Sequence, residues 1–170
     1  MHTDIISADM PAIHRKVREF RAMSPEVREQ PQTLLAFMPA YARMDTLEQK
    51  SLESREIARL FRRARAHLGH TGINNGVYLA ALAATLQNME EQIYEHFRSV
   101  EDLLVEGARA WLDSGALADP LSLYAIQTGI EEHWLDPERY GPALERALLV
   151  LSPQGNGRAV VLEAAERSQL

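Results

Sequence analysis

The chain has 170 residues, of which 46% are hydrophobic and 25% are charged, and its formal net charge is -6. This composition excludes a disordered chain, and the lack of an apolar run near ~18 residues excludes a membrane-spanning helix. Cysteine is absent, which excludes disulfides, thiolate metal ligands and a cysteine nucleophile. Residues 1–20 carry charge where a signal peptide has its apolar region, so we expect a cytoplasmic protein without a membrane partner.

The charges divide unevenly along the chain. Residues 1–76 contain 12 Lys and Arg against 9 Asp and Glu, whereas residues 77–170 contain 6 against 15. The resulting balances of +3 and -9 sum to the net charge of -6. Nearly all the basic residues are arginines, which pair well with carboxylates and phosphates. Alternatively, a GC-rich, bacterial-type coding bias would account for the excess of arginine over lysine.

Helix signals dominate the N-terminal part, and strand signals are almost missing. Asp9 as N-cap and Pro11 in the first turn predict a helix over 10–22. Proline-containing turns interrupt the chain over 24–31. The following apolar segment predicts a short helix that is interrupted or kinked at Pro39.

Two long helices are predicted next, over 46–68 and 77–97. The second is the more apolar and is predicted to be the central helix of the fold. The segment "LGHTGINNG" joins them at 68–76. Its residues fit capping, with Gly69 ending the first helix and Asn74 or Asn75 starting the second. A phosphate-binding loop is disfavoured because no strand precedes it and the phosphate-binding lysine is missing.

The C-terminal part carries further helix boundaries. Ser99 predicts the start of a helix that closes at 114–115, and two Asp-Pro pairs predict helices over 120–134 and 137–151. A last short helix or a loosely held tail is predicted over 158–168. We therefore predict an all-α, compact single domain over 1–170 with about seven or eight helices. Its parts are short N-terminal helices (1–45), a central helical hairpin (46–97), C-terminal helices (98–151), and a loop with a short helix or tail (152–170).

An arginine face is predicted on the first long helix. Arg55, Arg59 and Arg62 lie opposite the apolar stripe of this helix, and Arg63 lies on its flank. Such a surface can bind an acidic protein or nucleic-acid phosphates. Alternatively, it is only a solvated surface, or it is neutralised by the acidic second half. No aromatic residue interleaves with these arginines, which disfavours single-strand binding by base stacking.

Histidines give a second hypothesis. His67, Ile73 and Tyr78, followed by an apolar helix with Phe97, resemble the proximal histidine and the following helix of globins over about thirty residues. The resemblance implies a haem-binding or small-molecule-binding helical domain with His67 or His70 near the ligand. The alternative is that both histidines are surface or capping residues.

Acidic pairs are the remaining candidates for chemistry. Glu90, Glu91 and Glu95, and also Glu131 and Glu132, can serve acid–base catalysis only from a buried site. No catalytic sequence motif accompanies them. We therefore expect a solvated acidic surface.

The leading hypothesis is a non-catalytic interaction protein, such as a regulator, inhibitor, adaptor or small subunit of a larger assembly. It would bind another protein through Arg55, Arg59, Arg62 and Arg63 and would need no cofactor and no metal. The opposite charges of the two halves would also allow a homo-oligomer. A haem-binding or small-molecule-binding domain and a nucleic-acid-binding accessory subunit are the alternatives.

Overall fold

The computed structural model describes residues 2–44, 47–68, 73–89 and 94–170, without the side chains of 2–11, 47–48, 67, 73–74 and 94. Every regular element in these ranges is helical, which confirms the all-α prediction. The α-helices are α1 (His2–Ala22), α2 (Pro25–Arg28), α3 (Pro31–Ala42), α4 (Leu47–Ala64), α5 (Ile73–Asn88), α6 (Tyr94–Asp113), α7 (Pro120–Glu131), α8 (Pro137–Leu151) and α9 (Gly157–Arg167). A single 3₁₀ turn, Arg65–His67, extends α4.

The first helix is longer than predicted. Because α1 begins at His2, Asp9 lies inside the helix and the prediction that it is the N-cap is wrong. The next two helices each begin with a proline at the first helical position. There the missing N–H removes no intrahelical hydrogen bond. Helix α3 also continues through Pro39.

Helix α5 is the centre of the fold, as predicted. It packs most extensively on α3 and α7 and also contacts α6. Every side chain from Val77 to Leu86 is buried, so this helix is enclosed on all sides rather than amphipathic. The ring of Tyr78 meets Phe61 of α4 edge to face at 5.8 Å, so the two helices of the predicted hairpin touch here, although α4 packs more extensively on α6 and α3.

The predicted helix over 77–97 is wrong in its extent, because α5 ends at Asn88 and α6 begins at Tyr94. The Asn88 side chain donates a hydrogen bond of 2.7 Å to the carbonyl of Ala84. Asparagine side chains compete with the backbone for such bonds, which favours the end of a helix. Ser99, predicted to start the next helix, lies inside α6.

The C-terminal helices follow the predicted boundaries closely. The Asp119 carboxylate caps α7 by accepting from the Ser122 backbone at 3.1 Å, and Asp136 caps α8 by accepting from Glu138 at 3.0 Å. Helix α8 spans the predicted 137–151, whereas α7 ends three residues early at Glu131. The tail forms α9, which packs on α7. These helices hold the acidic half of the chain against the central helix.

Candidate functional site

The arginine face of α4, defined as Arg55, Arg59, Arg62 and Arg63, is exposed as predicted. On the opposite side of the helix, Ile57, Phe61 and Ala64 are completely buried. The helical repeat separates the two sets of side chains, because residues three and four positions apart share a face. The four guanidinium groups therefore lie on one surface of α4.

Two of the four arginines pair with carboxylates. Arg59 donates two hydrogen bonds to Glu56, from Nε at 3.0 Å and from Nη2 at 2.7 Å. Hydrogen bonding from Arg59 lowers the pKa of Glu56, and Arg28 acts in the same direction. Arg63 lies 3.4 Å from a carboxylate oxygen of Glu29. Because these arginines are about half exposed, each pair contributes little to stability.

The other two arginines have no carboxylate partner within the described part of the chain. Arg62 donates a long hydrogen bond of 3.4 Å to the Ser99 hydroxyl of α6. Arg55 is exposed and makes no side-chain interaction with a described residue. The carboxylates that meet the face belong to Glu29 and Glu56, both in the basic first half. In the described ranges, the acidic second half therefore does not neutralise this surface.

A cavity of about 560 Å³ opens just beyond the C-terminal end of α4. The end of the 3₁₀ turn, α5, α6 and the connection from α6 to α7 form its walls. The apolar part of the lining consists of Leu68, Leu79, Ala110, Trp111 and Leu117. Its size is within the ~300–1,000 Å³ of small-molecule sites.

Most polar groups in the cavity wall already have partners. The Tyr78 hydroxyl donates to the Phe61 carbonyl at 3.1 Å, and burial raises the pKa of Tyr78. The Trp111 indole donates to the Leu117 carbonyl at 3.0 Å. The Arg65 guanidinium makes two hydrogen bonds to Glu106, at 2.8 and 3.0 Å.

Only part of the segment "LGHTGINNG" lies in the described ranges. Its last glycine, Gly76, lies against the N-cap of α7, and an added Cβ there would overlap the Asp119 carboxylate. Asn74 and Asn75 lie inside α5, so neither is the predicted N-cap. The predicted cap Gly69 falls outside the described residues. Gly76 therefore serves close helix packing rather than phosphate binding.

The predicted haem ligands cannot be placed, because His70 and the side chain of His67 fall outside the described residues. The globin-like pattern itself is interrupted. Tyr78 lies in α5 and Phe97 in α6, so one continuous helix does not carry both. Haem binding stays a prediction that rests on two histidines.

The acidic candidates form no enclosed site within the described ranges. Glu95, Glu131 and Glu132 are exposed, and the side chains of Glu90 and Glu91 are not described. No group of three potential metal-ligating side chains occurs among the residues that the structure describes.

Sequence reasoning missed a buried polar cluster between α3 and α4. It consists of Lys50, Glu53, Ser54 and Tyr41, all less than 8% exposed. The Tyr41 and Ser54 hydroxyls share a hydrogen bond of 2.6 Å, and Arg21 of α1 forms an ion pair with Glu53. A signal was present, because Lys50, Ser54 and Ile57 follow the spacing of the apolar stripe and extend it toward the N-terminus.

Comparison with known proteins identifies no relative. No protein-family model matches the chain, and neither a curated protein nor a solved structure does. Among the described helices, none is both long and apolar enough to cross a membrane.

Proposed function

We propose that this protein is a non-catalytic interaction protein whose arginine face binds an acidic surface of another protein. The observation that carries the proposal is the state of Arg55 and Arg62. Both are exposed on the same side of α4, and neither meets a carboxylate of a described residue. An acidic partner would supply the carboxylates that the fold itself leaves out.

The residues of the face favour a protein partner over a single-stranded nucleic acid. Arginine forms two parallel hydrogen bonds with a carboxylate, as Arg59 already does with Glu56. A partner carboxylate can meet Arg55 and Arg62 in the same way. A single-stranded nucleic acid would also need aromatic side chains for base stacking, and α4 carries no aromatic residue besides the buried Phe61.

The binding energy would come from a few charge-assisted hydrogen bonds. Electrostatic complementarity mainly raises the association rate and gives specificity, and it weakens with salt. Arg59 and Arg63 are already paired, so they would exchange partners rather than gain them. Arg55 and Arg62 should therefore contribute most of the binding free energy.

The test is a pair of charge reversals, Arg55→Glu with Arg62→Glu. These two positions avoid Arg59, whose reversal would place a second carboxylate beside Glu56. The matched control is Arg139→Glu with Arg146→Glu, two exposed positions on α8, which packs mainly on α7 and α9. Both double variants change the net charge equally.

The probe is a short fluorescent peptide rich in glutamate, measured by anisotropy with the full chain. We expect the Arg55/Arg62 variant to lose roughly tenfold or more in affinity, or ~1.4 kcal/mol. The control variant should keep the affinity. Equal loss in both variants would show that only net charge matters and would overturn the proposal.

Two other outcomes would also contradict the proposal of an acidic protein partner. Tighter binding of single-stranded or duplex DNA than of the peptide at the same ionic strength would favour a nucleic-acid-binding subunit. Salt-sensitive self-association that is lost in the Arg55/Arg62 variant would identify a second copy of the chain as the partner.

A further inference from the structure

We propose that the cavity between α5, α6 and the α6–α7 connection binds a small organic cation with an apolar body, such as an aryl-alkyl amine. This binding site is separate from the arginine face, and it does not depend on the function proposed above. The inference rests on three features of the cavity. They are its apolar walls, the Asp113 carboxylate at its rim, and the partial negative charge at the C-terminal end of α6, where Asp113 lies.

Small side chains on α6 leave the cavity open. An added Cβ at Gly107 would lie 2.6 Å from a methyl group of Leu79, so glycine at this position lets α6 approach α5 closely without a shift of the Leu79 side chain. One turn further along α6, Ala110 lines the space and Trp111 forms part of its wall. The cavity is thus built by the packing of α5 on α6, and its apolar walls suit an aromatic or aliphatic group.

The charge at the rim favours a cation. Arg65 is held by Glu106, and the donors of Tyr78 and Trp111 are satisfied. Asp113 also lines the cavity and is exposed, and its carboxylate has no partner among the described residues. The rim therefore carries one carboxylate that makes no ion pair with a described residue.

The position of Asp113 strengthens this preference. It is the last residue of α6, and the last turn of this helix has no basic residue. The C-terminal end of a helix carries partial negative charge, so a carboxylate there is unfavourable and a cation is favourable. An ammonium group bound at Asp113 would relieve both effects.

A carboxylate ligand fits the site less well. The only guanidinium in the lining belongs to Arg65, and both of its contacts with Glu106 would have to be replaced. A ligand carboxylate would also lie near Asp113. An ammonium group at Asp113 would replace no ion pair between described residues.

The experiment compares three probes with similar apolar bodies and different charge at pH 7. They are 2-phenylethylamine, 2-phenylethanol and 3-phenylpropanoate. Trp111 lies in the cavity wall, so its fluorescence reports binding. The second tryptophan, Trp134, is replaced in a Trp134→Phe background so that the signal comes from Trp111 alone.

We expect saturable binding of the amine, with the carboxylate at least about tenfold weaker. Asp113→Asn should lower the affinity for the amine by about tenfold or more and leave the alcohol unchanged. The matched control is Asp102→Asn, an exposed aspartate on the same helix that does not line the cavity. Ala110→Phe fills the cavity from an exposed position and should abolish binding of all three probes.

The proposal fails if none of the probes binds, or if the carboxylate binds as tightly as the amine. It also fails if Asp113→Asn has no effect beyond that of Asp102→Asn. Binding that survives in a folded Ala110→Phe variant would place the site elsewhere. Circular dichroism of each variant establishes whether it is folded.

Discussion

His133 has a left-handed backbone conformation, with φ +64°. It follows the end of α7, where the Trp134 N–H donates to the Gly129 carbonyl at 2.8 Å and the His133 N–H donates to Ile130 at 3.2 Å. These two bonds define a Schellman motif, which normally places glycine at the left-handed position. Gly115 occupies the equivalent position after α6, with φ +104°.

The two positions give opposite predictions for stability. His133→Gly should raise the free energy of unfolding by about 0.5–1 kcal/mol, because the left-handed strain of ~1–2 kcal/mol exceeds the entropy cost of glycine. Gly115→Ala should lower it by about 1 kcal/mol for the same reason. Urea denaturation measures both as shifts of the midpoint at constant slope. A His133→Gly variant no more stable than the parent would show that the histidine side chain compensates for the strain.

At this scale the helix starts that an Asp-Pro pair marks were the best predicted. The Asp-Pro pairs at 119–120 and 136–137 predicted their caps because the acceptor and the fixed proline φ act within one turn. The end of α7 was missed by three residues, since a histidine in the left-handed position gives no sequence signal. Asp9 was misassigned because an aspartate two residues before a proline can also lie inside a helix, as it does in α1.

Between elements, Gly76 in α5 lies in close contact with the N-cap of α7. A Cβ at this position would overlap the Asp119 carboxylate and lie 2.9 Å from the Ser122 hydroxyl. The carboxylate cannot simply move away, because it accepts hydrogen bonds from both the backbone and the hydroxyl of Ser122. The glycine thus allows α7 to begin directly against the central helix.

Gly76→Ala should destabilise the protein by about 1–3 kcal/mol, the usual cost of overpacking. Asp119→Ala alone should cost about 1 kcal/mol through loss of the cap. In the double variant the methyl group enters the space left by the carboxylate, so its cost should be smaller than the sum of the two. Thermal or urea denaturation of the double-mutant cycle measures this coupling. Strict additivity would show that the two residues do not compete for space.

Element boundaries in the middle of the chain were the least predictable. The apolar residues over 77–97 keep a helical period across the actual break between α5 and α6. Hydrophobic periodicity does not reveal such a break. In the structure, the Asn88 side chain at the end of α5 donates a hydrogen bond to the Ala84 carbonyl. The type of the longer described elements was nevertheless predictable, because strand signals were almost missing, whereas the short helix α2 lies where turns were predicted.

Across the whole molecule, burial of tyrosines links stability to alkaline pH. Burial raises the pKa of Tyr78 above its usual value of 10.0, and the pKa of Tyr124 shifts in the same direction. Between the usual and the raised pKa, the unfolded chain loses a proton that the folded protein keeps. The stabilisation that the two neutral tyrosines contribute is therefore fully present below pH 10, and it is lost as the pH rises through their pKa in the folded protein.

The free energy of unfolding should fall above pH ~10 by up to about 1.4 kcal/mol per pH unit for each such tyrosine. Tyr78→Phe should lower the stability at pH 7, because the hydrogen bond to Phe61 is lost, but should make the decline above pH ~10 shallower. Urea denaturation at several pH values separates the two effects. Parallel pH profiles for the parent and the variant would contradict the buried, neutral state of Tyr78.

The site was less predictable than the fold. The exposure of Arg55, Arg59, Arg62 and Arg63 followed from the helical repeat alone. Their partners Glu29 and Ser99 come from other helices, and so do the walls of the cavity. Contacts of this kind depend on tertiary packing, for which the sequence pattern has no local signal.

The enclosure of α5 also means that this helix stays partly exposed while the rest of the chain is being synthesised. Helix α3, which covers one side, precedes α5, but α7, which covers another, ends 43 residues after α5, at Glu131. At ~5–20 residues per second, translation of that interval takes roughly 2–9 s. During this time the central helix, whose side chains from Val77 to Leu86 are all buried in the folded protein, has no complete cover. A released chain that ends before α7 should therefore expose α5 to general chaperones, and folding away from them should require α7.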